Sequence, residues 1–120
     1  MNVSYESPKP EVKVFYNTNT VNMKMLEQIL LGMEEEGIPY EAVAKKRSSA
    51  IVLGYNAAQA SHLGVGIGID ECLVLHFIKL KESQPLFKIP LTMEEERLRA
   101  LGANAARLVK RMPFKDIETS

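Results

Sequence analysis

Apolar residues along the chain fall into short strand-like runs separated by segments with helical spacing. Val12-Lys13-Val14-Phe15-Tyr16 is β-branched and aromatic, and predicts an opening strand. After the polar loop Asn17-Thr18-Asn19-Thr20, the residues Leu26, Ile29, Leu30 and Met33 recur at i, i+3, i+4 and i+7, the spacing of one helical face. Gly37, with Pro39 just beyond, marks that helix's stop. Tyr40 to Ala44 predicts a second strand that runs into Lys45-Lys46-Arg47. Ser48 or Ser49 can cap a second helix reaching about Ser61, with Ala50, Leu53, Ala57 and Ala60 on one face. Gly54 works against it by about 1 kcal/mol relative to Ala. Leu63 to Ile69 predicts a third strand and Leu73 to Ile78 a fourth. The turn between them, Asp70-Glu71, is so short that it joins antiparallel neighbours. Leu86-Phe87-Lys88-Ile89, bracketed by Pro85 and Pro90, predicts a short edge strand. The last helix has Thr92 and Glu95 at capping-box spacing, and Leu98, Leu101, Ala105, Leu108 and Met112 as its apolar seam. Pro113 is its stop. Glutamates 94–96 open this helix and Lys110 and Arg111 close it, as the macrodipole favours.

The order β-α-β-α-β-β-β-α predicts an α/β fold: a three-layer α/β/α domain around a mixed sheet of about five strands. Residues 1–10, with Pro8 and Pro10, read as a loose arm, residues 11–117 as a single domain, and residues 118–120 as a tail. The 120 residues suit one domain, and a chain of that size buries roughly 65% of its unfolded surface without a disulfide or metal. Fifteen Lys+Arg balance fifteen Asp+Glu. This zero net charge removes the electrostatic case for a nucleic acid or an anionic membrane as partner. It also leaves little self-repulsion, a hint that the chain works with a protein partner. A lone Cys72 excludes an internal disulfide, and no cysteine cluster is present to hold zinc. No apolar run approaches about 18 residues, and the polar start lacks a basic segment followed by an apolar one, so a cytoplasmic location is expected.

Few residues offer chemistry. Gly64-Val65-Gly66-Ile67-Gly68 looks like a piece of a phosphate-binding loop, but such a loop must lead from a strand into a helix. Here the glycines alternate within a strand and another strand follows, which favours close approach of a neighbouring backbone instead. Glu34-Glu35-Glu36 ends the first helix at the wrong pole of its dipole. This is either a solvated charge run or a set from which one carboxylate reaches a metal or a basic group on another chain. From Arg97 to Lys115 there are six basic residues and no acidic one, with no aromatic before Phe114 to stack on bases. A solvated face or a docking face for an acidic protein is the better reading. Asn104, within Gly102-Ala103-Asn104-Ala105-Ala106, is either a contact residue or a buried, satisfied amide. His62 and His76 have no triad partners, and Cys72 beside Asp70 and Glu71 is an inert thiol. On residue chemistry alone the chain has no active site.

Three segments carry a resemblance. Leu31-Gly32-Met33-Glu34-Glu35-Glu36-Gly37-Ile38-Pro39, the run Gly64 to Asp70, and Leu98 to Lys110 resemble the small subunit of the reactivating factor for coenzyme B12-dependent diol and glycerol dehydratases. Pro85-Leu86-Phe87 and Met112-Pro113-Phe114-Lys115-Asp116 are similar to it too, and the resemblance covers about residues 12–117. Residues 45–59 match little. The first and last segments are equally similar to the dehydratase's own medium subunit, which is considerably longer. The resemblance implies the B12-dependent dehydratase medium-subunit fold, of the anticodon-binding-domain-like type. It also implies a non-catalytic chain that pairs with a large, chaperone-like ATPase subunit. In that family the small subunit exchanges with the medium subunit on the dehydratase large subunit, so that damaged cobalamin is released. A short medium-subunit homologue that helps to assemble the cobalamin holoenzyme is the alternative. By resemblance Glu35, with Glu34 and Glu36 as alternatives, is expected to supply a carboxylate to a Mg²⁺ shared with the large subunit. Glu35, Asn104, Arg107 and Lys110 are expected at the partner interface. No cofactor is expected on this chain alone, and the cytoplasmic setting leaves room for a bacterial microcompartment.

Overall fold

The computed structural model describes residues 9–46 and 48–117. Its elements are β1 (Val12–Asn17), α1 (Met23–Glu35), β2 (Tyr40–Lys45), α2 (Ala50–Ala60), β3 (Val65–Ile69), β4 (Cys72–Phe77), β5 (Phe87–Pro90) and α3 (Glu95–Lys110). The five strands form one sheet in the order β2-β1-β3-β4-β5. β1 is parallel to both of its neighbours, whereas β3–β4 and β4–β5 are antiparallel. This is the expected mixed five-stranded α/β fold. The expected arm lies largely, and the tail wholly, outside the described residues, as does Arg47 at the end of the basic cluster.

The chain moves from β1 to β2 in one direction, then crosses back past β1 to β3. Right-handed crossovers in opposite directions put their helices on opposite faces of the sheet. α1 therefore covers one face and α2 the other, and α3 returns to lie beside α1. The main core lies between the sheet and the α1–α3 layer. Val12, Val14, Ile67, Ile69, Leu73 and Leu75 meet Leu26, Ile29, Met33, Leu98, Leu101 and Ala105 there, all buried. On the other face Phe15 packs on Leu53 and Ala57, and Val74 on Ala50 and Cys72.

The glycines of β3 serve that second face. A Cβ on Gly66 would lie 2.2 Å from the Ala58 nitrogen, and one on Gly68 2.2 Å from the Gly54 nitrogen. α2 thus rests almost directly on the strand backbone, and no phosphate cradle forms because β4 follows. Gly54, a liability for an isolated helix, is required in this one: its Cβ would meet Val74 Cγ1 at 2.8 Å. His76 is fully buried on the same face, with its ring edge-on to Tyr55. Its Nδ1 accepts from the Phe77 N–H at 3.0 Å and its Nε2 donates to Glu82 O at 3.0 Å. The Nε2 bond ties down the connection to β5.

Several local expectations change. Ser49 is the cap of α2, its hydroxyl accepting from the Val52 N–H, but Ala60 is exposed and Ala58 takes the inward position. No capping box opens α3: Glu94 is the N-cap without a side-chain bond, and Thr92 Oγ1 accepts from the Glu94 N–H instead. α3 stops before Pro113, because Arg111 turns left-handed at φ 57°, and Met112 is exposed, not part of the seam. The third strand starts at Val65, two residues after Leu63. No described helix is long and apolar enough to cross a membrane.

Candidate docking site

α1 and α3 lie side by side and point the same way. Met25 and Gln28 near the start of α1 share a groove with Met93 and Leu98, whereas Glu36 just past its end meets Lys110. At the crossing, two glycines face each other's backbones. A Cβ on Gly102 would stand 1.9 Å from Ile29 O, and one on Gly32 2.1 Å from Arg99 O. Two of the three segments that carry the family resemblance are therefore one another's packing partners.

Parallel helices bring two negative dipole ends together, and α1 adds Glu34 to Glu36 with no basic residue in its own last turn. α3 supplies the counter-charge. Lys110 Nζ donates to Glu36 O at 2.9 Å and to Glu36 Oε1 at 2.8 Å. Arg107 Nε and Nη2 donate to Glu36 Oε2 at 3.2 and 3.1 Å, while its Nη1 reaches Pro113 O. The Lys110 ammonium, and then Arg107, hold the Glu36 carboxyl below the usual carboxylate range against the opposing effect of burial. Gly37, at φ 77°, turns the chain away from α1 just beyond this cluster.

The triplet is thus divided by tertiary contacts. Glu36 is occupied by Arg107 and Lys110. Glu34 accepts the Tyr40 hydroxyl, and burial followed by the Glu34 charge pushes that phenol's pKa up. Glu35 is exposed and has no hydrogen bond or ion pair among the described residues. It lines a shallow groove of about 290 Å³ with Glu96, Arg99, Ala100, Lys115 and Asp116. Arg99 Nη2 bonds Glu95 Oε1 at 3.4 Å, and the buried Arg99 Nε has no partner there. Asn104 is fully buried as a satisfied amide: its Nδ2 donates to Lys115 O and its Oδ1 accepts from the Lys115 N–H. It positions one wall of the Glu35 groove. Asn104, Arg107 and Lys110 thus have inward contacts that build and brace the groove. No three described His, Cys, Asp or Glu side chains are grouped to hold a metal ion.

A second polar centre was not singled out by motif. Where β1 and β3 diverge, the buried Asp70 gathers Asn17 Nδ2 at 3.3 Å, Thr20 Oγ1 at 3.3 Å and the Ser48 N–H at 3.2 Å. Glu71 Oε1 accepts from the Ala50 N–H, the first residue of α2. Ligands of open α/β sheets usually bind at this divergence, where a helix N-terminus offers free donors. Here the chain's own carboxylates use those donors. A buried strand ending in Asp-Glu was the available signal, and it reads in sequence only as a turn. Burial, reinforced by Glu71, also pushes the Cys72 thiol up, so it stays protonated and inert.

Comparison with known proteins agrees with the geometry. The family model described as dehydratase medium subunit matches residues 9–115. The diol dehydratase-reactivating factor small subunit of Klebsiella michiganensis is 40% identical over 93 residues, 77% of this chain and 74% of that one. Among solved structures, a glycerol dehydratase reactivase superposes with a TM-score of 0.87 at 32% identity, covering 92% of this chain and all of that one. A diol dehydratase-reactivating factor complexed with ADP and Mg²⁺ superposes at 0.82 with 35% identity, covering 90% of this chain and 99% of that one. The chain belongs to the dehydratase medium subunit family and, within it, is a relative of the dehydratase-reactivating factor small subunits.

Proposed function

We propose that this chain is the small, non-catalytic subunit of a dehydratase-reactivating factor. It pairs with a large ATPase subunit and takes the place of the medium subunit on a diol or glycerol dehydratase large subunit, so that a damaged cobalamin is released. One observation carries this reading: a single scaffold matches both the medium-subunit family model and reactivating-factor chains over nearly its whole length. Exchange of one subunit for another requires that both present the same docking shape, and the α1–α3 layer supplies a rigid one. The exchange loosens the cobalamin site because the substitute fits the dehydratase without reproducing every contact of the resident subunit.

Glu35 is the residue assigned to a shared Mg²⁺. A hard divalent cation takes one or two protein carboxylates and fills the rest of its shell elsewhere. The carboxylate at Glu35 fits one position of such a shell, being exposed and unengaged among the described residues, whereas Glu36 is held by two cations and Glu34 by a phenol. The remaining ligands must come from the partner or from water. When bound, Mg²⁺ would join this carboxylate to oxygen ligands of the large subunit. Arg107 and Lys110 hold the end of α1 still, and Asn104 fixes the backbone at Lys115 beside it.

The test uses large subunit, this chain, ATP, Mg²⁺, fresh coenzyme B12 and substrate-inactivated dehydratase. Activity is expected to return only when both subunits are present, and Glu35→Ala is expected to weaken Mg²⁺-dependent co-purification with the large subunit more than Glu34→Ala. Equal effects of the two substitutions would remove the metal assignment. Recovery with the large subunit alone, or direct cobalamin binding by this chain in a spectral titration, would remove the exchange reading in favour of a medium-subunit homologue.

A further inference from the structure

The two edges of the sheet are finished differently. β5 is four residues long, ends on Pro90, and is covered by the segment that follows α3, where Phe114 stands edge-on to Phe87 with ring centroids 5.3 Å apart. Short length, proline and a covering segment are the ordinary ways of blocking strand addition. Among the described residues, β2 has none of them. It runs six residues in unbroken register with β1, from Tyr40 opposite Val12 to Lys45 opposite Asn17, and no described strand pairs with its outer side.

The pattern of that edge is its own complement. Val12 N–H donates to Pro39 O, and in a parallel ladder this turns the backbone groups of Glu41, Val43 and Lys45 toward β1. The N–H and C=O groups of Tyr40, Ala42 and Ala44 therefore point outward. An antiparallel second strand centred on Val43 sets Ala42 opposite Ala44 of the second copy, so the outward groups meet as hydrogen-bonded pairs. The same register sets Glu41 opposite Lys45 of the second copy, and Val43 opposite its counterpart. These three side chains share the α2 face: Glu41 is paired with Lys13, Val43 packs on the Phe15 cluster, and Lys45 lies over the Phe15 ring at 4.4 Å. Glu41 and Lys45 are both exposed beyond those contacts. Centring the pair on Ala42 or Ala44 keeps the hydrogen-bond parity but loses the charge match, which selects Val43.

We propose that the β2 edge is a self-association surface, on which two copies of this chain join antiparallel about Val43 into one continuous sheet. The proposal does not depend on the assignment of Glu35. The experiment is sedimentation of the full chain across a concentration series, with circular dichroism to show that each variant is folded. The expected result is a reversible dimer. Glu41→Lys alone and Lys45→Glu alone should each weaken it on the order of tenfold, since two cross-strand attractions become repulsions. Mixing those two variants should give a heterodimer tighter than either self-association, and the double reversal should restore the homodimer. Ala44→Pro, which removes an outward N–H and no bond to β1, should leave a folded monomer. A chain that stays monomeric throughout, a dimer indifferent to the reversals, or a mixture no tighter than its components would overturn the proposal.

Discussion

The C-terminal ends of the parallel strands and those of the parallel helices make an instructive pair. Both gather acidic side chains at a place where backbone dipoles matter. At the divergence of β1 and β3, Asp70 and Glu71 accept from the loops and from the α2 N-terminus, so the usual ligand position of the fold is filled from within. At the ends of α1 and α3, three carboxylates meet two cations; one is neutralised, one is bonded to a phenol, and Glu35 is left facing out. The first region closes a scaffold and the second braces the groove that Glu35 lines. A family motif can thus combine bonded and exposed residues at adjacent positions.

Substitutions test that division, beginning with the contact that sets up the second region. Gly102→Ala places a methyl 1.9 Å from a helix carbonyl, so α1 and α3 must separate. A loss of about 3 kcal/mol or more is expected in urea unfolding. A loss below about 1 kcal/mol would show that the helices are not held together at the glycines. Asp70→Ala strands three donors at a buried site, and should cost about 2–4 kcal/mol while partner binding by the folded fraction is unchanged. A selective loss of partner binding would instead make the strand mouth a functional surface.

Glu36→Gln is the finer probe, with an expected cost of about 1–2 kcal/mol at neutral pH. Its sign with pH follows from the depressed carboxyl. The unfolded chain takes up that proton more readily than the folded one, so the stabilisation is complete above the unfolded carboxylate pKa and is lost as pH falls through the folded value. Wild-type stability should therefore fall more steeply than that of Glu36→Gln across the acidic carboxylate range. Parallel pH profiles would show that the cluster is not coupled to folding. Glu35→Ala should move stability least, by no more than about 0.5 kcal/mol, since its side chain is exposed and makes no hydrogen bond or ion pair among the described residues. A larger loss would place Glu35 with Glu36 among the bracing residues.

Much of the fold was legible because its signals are local. The i, i+3, i+7 spacing of Leu26, Ile29 and Met33, the stop at Gly37, the Ser49 cap and the two-residue turn into β4 each depend on neighbours in sequence. The missed boundaries were decided by competing local geometry. Arg111 adopts a left-handed cap before Pro113 can act, and Thr92 bonds the Glu94 N–H in place of forming a capping box with Glu95. In the candidate site, the acidic triplet and the basic helix were visible as separate features, but their pairing was not. Arg107 lies 71 residues from Glu36, and no periodicity reports a contact of that range. Asp70 was hidden for the same reason: its partners lie 53, 50 and 22 residues away.

The sequence by itself determined the order and type of the elements, the antiparallel turn between β3 and β4, and the reading of the glycine run as a packing surface. These depend on hydrophobic period and backbone preference, which act over a few residues. Only the tertiary structure decided that Gly32 and Gly102 meet, that Glu36 rather than Glu35 is held by the basic helix, and that no described strand pairs with the outer side of β2 while β5 is covered. Those outcomes depend on which distant side chains share one small volume, where sterics and opposite charge select among residues that look equivalent along the chain.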